Sequence, residues 1–195
     1  MEKAVDRLAR GDYRAAADAA RRAKELAPRS STVREVLGMA LYGQERYRDA
    51  LRELTAYRRM TGRADQNHLI ADSHRAVGNP GKAPQLAEEA FRAPIPDESK
   101  AEALLVGAAA LADLDRPAEA LSLVRRFPRR GAVRPFELRL WYVAGDILER
   151  AGRVDEAREE FDRIARHDPE AFDVTERLAS LRSRRRPRRG SRGTA

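Results

Sequence analysis

His68 and Asp72 are the residues whose types and spacing best suit chemistry at one small site. On a helix, positions i and i+4 share a face, so this imidazole and this carboxylate can meet a common metal ion or substrate proton. No third ligand is evident in the sequence, and a surface hydrogen-bonded pair is the simpler interpretation. We therefore predict no metal site, and we expect no cofactor.

Other motifs of catalysis are equally weak. The segment Gly78-Asn-Pro-Gly81-Lys82 is glycine-rich, but it lacks the spacing and the hydroxyl of a phosphate-binding loop, and a turn between two helices accounts for it. Acidic residues alternate with arginines at helical spacing, as in Glu149 and Arg153, which is typical of a solvated helix face. The chain has no cysteine, which excludes thiolate zinc sites and cysteine nucleophiles. We predict no catalytic residues and a protein that is not an enzyme.

The charge of the chain is concentrated at one end. The formal net charge of +8 arises from 39 Lys and Arg against 31 Asp and Glu. Seven arginines lie in the last fourteen positions, which contain no acid, so residues 1–181 carry 32 basic and 31 acidic side chains. The part of the chain that is expected to fold is therefore close to neutral, and the basic character belongs to the C-terminal tail.

Two further features concern origin and location. The N-terminal residues lack the apolar segment of a signal peptide, and no run approaches the ~18 apolar residues of a membrane span, so we expect a cytoplasmic protein. Arg outnumbers Lys 35 to 4, which favours a bacterial, GC-rich genome as the source.

Small residues recur at intervals that indicate repeated pairs of helices. Aligning the residue at which two helices would touch gives intervals of 34, 33, 37 and 37 between Ala16, Ala50, Ala83, Ala120 and Ala157. In the fourth repeat, where the pattern is degenerate, we predict that Ala108 is the small residue of the first helix, at which the two helices of the pair touch. Apolar residues at i, i+3 and i+4 spacing give each helix a stripe that only neighbouring helices can cover, so the stack folds as a unit.

One segment carries the whole pattern of a known family. The matching positions are Trp141, Ala144-Gly145, Leu148, Gly152, Val154, Ala157, Phe161 and Asp168-Pro169. This segment resembles a complete tetratricopeptide repeat, with Ala144 replacing the usual Leu and Leu148 the usual Tyr. The resemblance implies an all-α fold: a right-handed α-α superhelical solenoid of about five helix pairs with a C-terminal capping helix.

Turn residues and helix caps predict the helix boundaries. The predicted helices cover residues 2–10, 13–26, 32–43, 47–60, 65–77, 80–92, 99–114, 117–127, 135–150, 154–166 and 170–183. We expect Asp168 to cap the last helix, with Pro169 in its first turn. Phe172, Leu178 and Leu181 are predicted to form the apolar side of that helix.

Proteins of this family bind extended or helical peptides in a concave groove lined by the first helix of each pair. Carrying the groove positions over by the resemblance gives Thr32, Glu35, Met39 and Tyr42, then His68, Asp72 and Arg75, then Glu102, Leu105 and Ala109, and finally Arg139, Tyr142, Asp146 and Glu149. Chaperone-binding members need hydrogen-bond donors where this chain has Glu35, Asp72, Asp146 and Glu149, so that activity is not expected.

An acidic and aromatic groove suits a basic or amphipathic segment. We therefore predict a non-catalytic protein–protein interaction scaffold that binds a peptide or helical segment, with Tyr42, Met39 and Tyr142 as apolar anchors. Packing between repeats is the alternative role for these three side chains.

The C-terminal tail supports a second hypothesis. The repeat domain is predicted to span residues 1–181, and residues 182–195 are predicted to form a disordered Arg-rich tail. Its arginines are Arg182, Arg184, Arg185, Arg186, Arg188, Arg189 and Arg192. They could neutralise phosphates of a nucleic acid or ribosome, with salt-sensitive binding. The alternatives are a solubilising tail, a tail that contacts its own acidic groove, and codon bias.

The first repeat begins midway through its first helix, which favours an omitted upstream segment over a short cap. Val5 and Leu8 would then leave apolar surface uncovered, so a homo-oligomer is a further option. The sequence does not identify the partner protein.

Overall fold

The computed structural model describes residues 1–128 and 131–184, and all regular secondary structure in those ranges is helical. The α-helices of this part of the chain are α1 (Glu2–Ala9), α2 (Tyr13–Leu26), α3 (Ser31–Tyr42), α4 (Tyr47–Thr61), α5 (Asn67–Ala76), α6 (Ala83–Arg92), α7 (Asp97–Asp113), α8 (Pro117–Val124), α9 (Pro135–Arg150), α10 (Val154–His167) and α11 (Val174–Arg184). A 3-10 turn, Pro80–Lys82, precedes α6. From α1 to α10, each predicted boundary lies within three residues of the observed one.

The helices form two compact units. Unit 1 spans Met1–Leu123, and unit 2 begins at Val124. In unit 1, consecutive helices from α1 to α7 pack on each other, and α1, α3, α5 and α7 also contact one another in series. The first helices of the pairs therefore form one layer of unit 1. In unit 2, α9 packs on α10 and α10 packs on α11.

Glycine allows the two helices of a pair to approach closely. A Cβ on Gly38 would lie 2.6 Å from Cγ of Leu54, and a Cβ on Gly145 would lie 2.7 Å from Cε1 of Phe161. Ordinary van der Waals contact needs nearly an ångström more, so only glycine fits there.

The fourth pair shows one error in the predicted alignment. Gly107 is the residue of close approach there, against Ala87 and Leu123. Alignment of the chain's own repeats predicts Ala108 at this point, one residue later, because the inserted residues of this repeat obscure its register.

The last helix begins later than predicted. Asp168 Oδ1 does accept a hydrogen bond from the backbone N–H of Glu170 at 3.0 Å. However, Phe172 has a φ of +58°, a left-handed conformation that a continuous helix cannot contain. The helix therefore starts at Val174.

The apolar side of α11 also differs from the prediction. Leu178 and Leu181 are buried as expected, but Phe172 is 50% exposed and Val174 is fully buried in its place. Because Phe172 precedes the helix, it does not follow the helical periodicity from which its burial was predicted.

α11 continues to Arg184, so Arg182 and Arg184 belong to this helix. The other arginines of the predicted tail lie outside the described residues: Arg185, Arg186, Arg188, Arg189 and Arg192.

At the other end of the chain, Val5 is exposed, whereas Leu8 packs against the core of unit 1. None of the described helices is long and apolar enough to cross a membrane.

Candidate functional site

The predicted groove residues of unit 1 lie on one side of its first helices. We define the first-helix face of unit 1 by its partly exposed side chains on α3, α5 and α7, which are Glu35, Met39, Tyr42, His68, Asp72, Arg75, Glu102 and Ala109. Thr32 is exposed at the start of α3. Leu105 is buried, so this predicted groove residue belongs to the core and not to the face.

A series of polar contacts joins α3, α5 and α7 across this face. The hydroxyl of Tyr42 donates a hydrogen bond to Oδ2 of Asp72 at 2.7 Å. Arg75 donates to Oδ1 of Asp72 at 3.1 Å and also to Asp113 on α7. Burial and the Asp72 carboxylate raise the pKa of Tyr42 well above its ordinary value. Tyr42 is therefore a neutral donor that helps to hold successive repeats together.

His68 lies in an acidic part of the face without pairing as predicted. Asp72, its expected partner, accepts its hydrogen bonds from Tyr42 and Arg75 instead. Burial lowers the pKa of His68, although the nearby carboxylate of Glu102 opposes the shift. The imidazole is consequently neutral near pH 7. In the described ranges, no group of three or more His, Asp or Glu side chains could hold a metal ion.

The first-helix face of unit 1 carries an excess of negative charge. Its carboxylates are Glu35, Asp72 and Glu102, and Asp113 borders them on α7. Arg75 is the basic residue within this set, and it already binds two of the carboxylates. Glu35 accepts a hydrogen bond from the neutral amide of Gln66 at 2.9 Å, so its charge is not cancelled by that contact. The formal charge of this set of side chains is therefore negative.

The predicted groove residues of unit 2 are engaged by α11 and the turn before it. The hydroxyl of Tyr142 donates to Asp173 at 2.6 Å. Arg177 pairs with Asp146 and lies 3.1 Å from Glu149. Arg139, the remaining predicted residue, is exposed near the start of α9. α11 thus contacts α9 in the way that α5 contacts α3, as the predicted capping helix should.

Aromatic contacts strengthen this junction. The rings of Tyr142 and Phe172 lie 4.7 Å apart, and the Arg177 guanidinium lies 5.7 Å from the Tyr142 ring centroid. Both distances are within the range at which aromatic and cation–π interactions are favourable. Tyr142 therefore packs between repeats, which is the alternative role considered for it above.

The partners of the groove residues were not found from the sequence, although their spacing was a usable signal. Glu35–Gln66, Tyr142–Asp173 and Asp146–Arg177 are each separated by 31 residues. A complementary polar residue about one repeat downstream is therefore the feature to search for. Arg75 and Asp113 are 38 residues apart, because inserted residues lengthen that interval.

Comparison with known proteins gives the same fold. Two models of the tetratricopeptide repeat match the chain, one over residues 1–67 and the other over residues 138–181. Together they cover more than half of the sequence. No curated protein matches the chain.

Solved structures of tetratricopeptide-repeat proteins resemble this one at low sequence identity. The C-terminal part of a repeat-containing protein from Cytophaga hutchinsonii has a TM-score of 0.74 at 12% identity, covering 91% of this chain and 68% of that one. A thermophilic repeat protein from Thermus thermophilus has a TM-score of 0.64 at 17% identity, with coverages of 92% and 95%. YrrB, a repeat protein with an unusual peptide-binding site, has a TM-score of 0.65 at 18% identity, with coverages of 89% and 87%. At these identities the likeness to the solved structures concerns the fold alone. The two sequence matches and the shared fold together show that the chain belongs to the tetratricopeptide-repeat family.

Proposed function

We propose that this protein is a non-catalytic interaction scaffold that binds a basic or amphipathic segment of another protein on the first-helix face of unit 1. Tetratricopeptide repeats are generally protein-interaction modules, which supports the scaffold role and argues against an enzyme. The observation that carries the proposal is the layer of α3, α5 and α7, which presents partly exposed acidic, aromatic and thioether side chains together.

The chemistry of the face determines the kind of segment that it fits. Glu35 and Glu102 supply negative charge on α3 and α7, while Met39 supplies a flexible apolar surface beside them. A helix with lysines on one side and leucines on the other would satisfy both features. Tyr42 and Asp72 already bond to each other, so they contribute a fixed surface and not free hydrogen-bonding groups.

The test uses a fluorescein-labelled, helix-forming peptide of leucine and lysine, with fluorescence anisotropy as the measurement. The Glu35→Gln/Glu102→Gln double variant removes two charges from the face while keeping side-chain shape. Glu2 and Glu159 are exposed glutamates outside the face, so Glu2→Gln/Glu159→Gln is the charge-matched control.

We expect the face variant to bind the peptide about five- to thirtyfold more weakly than the control, because two partly exposed charge contacts contribute about 0.5–1 kcal/mol each. Equal affinities of the two variants would show that this face is not the binding site. A matching peptide with glutamine in place of lysine should bind weakly to every variant. The nucleic-acid hypothesis gains no support from the comparisons and remains a prediction from the sequence.

A further inference from the structure

A second surface of unit 1 has a different chemistry. A cleft of about 410 Å³ lies between α2 and α4, and both of these helices pack on α3. Leu37 and Leu41, each 3% exposed, lie at its base, and Pro28 adds further apolar surface. Its volume falls within the ~300–1,000 Å³ typical of ligand-binding clefts. None of its lining residues belongs to the first-helix face.

Arginines crowd one carboxylate on the rim of this cleft. Asp49 accepts hydrogen bonds from Nε of Arg46 at 3.0 Å and from Nη2 of Arg52 at 2.5 Å. The bond from Arg46 is the main cause that holds the pKa of Asp49 below its ordinary value, and the charges of Arg52 and Arg21 contribute. Arg21, which is also paired with Asp18 at 2.7 Å, therefore faces the same carboxylate. The positive charge around Asp49 exceeds what one carboxylate neutralises.

The second carboxylate of the cleft is also shared by two cations. Glu53 is 8% exposed and accepts hydrogen bonds from Lys24 at 2.6 Å and from Arg34 at 2.9 Å. The remaining acid of the lining, Glu25, is exposed. The cleft therefore combines an apolar base with a lining of four cations and three carboxylates, a formal charge of +1, whereas the formal charge of the first-helix face is negative.

We propose that this cleft binds an acidic amphipathic segment of a second partner protein. An aliphatic side chain of that segment would rest on Leu37 and Leu41, and a neighbouring carboxylate would bind Arg46 and Arg52. The side chains of Arg46 and Arg52 are 48% and 74% exposed, so they can reach a ligand without leaving Asp49. A guanidinium has five N–H donors in a planar fork, which allows it to bind two carboxylates at once.

This site is independent of the one proposed on the first-helix face, because the two differ in side, charge and lining residues. A scaffold with both sites would hold a basic and an acidic segment on the same repeats. Neither inference depends on the other, and each has its own probe.

The test uses a fluorescein-labelled, acetylated and amidated helix-forming peptide with leucines on one side and glutamates on the other. Fluorescence anisotropy measures its affinity for the full chain and for the Arg46→Gln/Arg52→Gln variant. Arg48 and Arg59 are exposed on the same helix but do not line this cleft, so Arg48→Gln/Arg59→Gln is the charge-matched control.

We expect the Arg46→Gln/Arg52→Gln variant to lose about tenfold in affinity, while the control changes by less than about twofold. Peptides with glutamine for glutamate, or serine for leucine, should each bind the unchanged protein more weakly than the original. This second comparison needs no protein variant and so does not depend on how the variants fold. Absence of binding by the unchanged protein, equal loss in both variants, or equal affinity for the glutamine peptide would each overturn the proposal.

Discussion

Replacing Arg177 with methionine should destabilise unit 2, because this side chain joins α11 to α9. The guanidinium pairs with Asp146 and with Glu149, whose side chain is only 9% exposed. Breaking a buried ion pair costs about 3–5 kcal/mol, whereas an exposed pair contributes about 0.2–1 kcal/mol. The Arg177 side chain is 24% exposed, so we expect a loss of about 2 kcal/mol from the ion pairs. Methionine retains most of the aliphatic stem, which limits the loss of packing.

The contact with the aromatic rings adds to this loss. Because the Arg177 guanidinium lies 5.7 Å from the Tyr142 ring and 5.4 Å from the Phe161 ring, its removal should cost about a further 0.5 kcal/mol. The expected decrease in the free energy of unfolding is therefore about 2–3 kcal/mol.

Urea unfolding followed by tryptophan fluorescence measures this change in the relevant unit. Trp141, the only tryptophan of the chain, lies on α9 with its ring near Arg163 and His167. Its emission should therefore report the unfolding of unit 2. If the slope of the unfolding free energy against urea concentration is unchanged, the shift in the unfolding midpoint reflects a change in stability.

Arg150→Met is the matched control for Arg177→Met. Arg150 lies 3.2 Å from the same Asp146, but its side chain is 75% exposed, so its replacement should cost less than about 0.5 kcal/mol. Both variants remove one positive charge near Asp146, so the loss of charge itself does not contribute to the difference between them. Equal destabilisation by the two variants would refute the view that Arg177 fixes α11 to α9.

Three further outcomes follow from contacts described above. Tyr42→Phe should lower the free energy of unfolding by about 1 kcal/mol in chemical denaturation, because Asp72 loses one hydrogen-bond donor; no change would mean that water replaces the hydroxyl at no cost. Gly145→Ala should cost about 1–3 kcal/mol in the same assay, since its Cβ would lie 2.7 Å from Phe161, and a neutral result would show that the ring moves aside easily. The pKa of His68 is lowered from 6.5 by burial, so the unfolded chain binds its proton more readily and stability falls as the pH drops below 6.5 towards the folded-state pKa. His68→Gln should reduce that loss in denaturation measured from neutral to mildly acidic pH, and an unchanged pH dependence would contradict the role of His68.

The helices of this fold could be predicted from the sequence because their signals are local. Glycines at turns and small residues at crossings, such as Gly38 and Ala50, are visible in the sequence alone, and they led to boundaries close to those observed. The predicted start of α11 was wrong because Phe172 adopts a left-handed backbone conformation, which nothing in its residue type predicts. The register of the fourth pair was wrong by one residue because an insertion and a glycine–alanine run made two alignments equally acceptable.

The candidate site was less predictable than the fold. The family pattern indicated which side chains lie on partly exposed positions of α3, α5 and α9, but not their partners. The pairing of Arg75 with Asp113 depends on how far an inserted loop displaces the next helix, and sequence spacing alone does not give that distance. The α2–α4 cleft was missed because Arg46, Asp49 and Arg52 have the i, i+3 spacing of any solvated helix face, and only the packing of α2 and α4 on α3 places them above Leu41.

The 31-residue links between first helices also differ chemically from one junction to the next. Glutamate meets glutamine between α3 and the residue that precedes α5, whereas aspartate meets arginine between α9 and α11. In both links a carboxylate on the earlier helix accepts a hydrogen bond from a donor one repeat downstream. Exchanging the two donors would still leave each carboxylate with a partner. The links therefore hold neighbouring repeats together without distinguishing one neighbour from another, and they do not oppose the exchange of repeats between two copies of the chain, to which stacks of similar modules are prone.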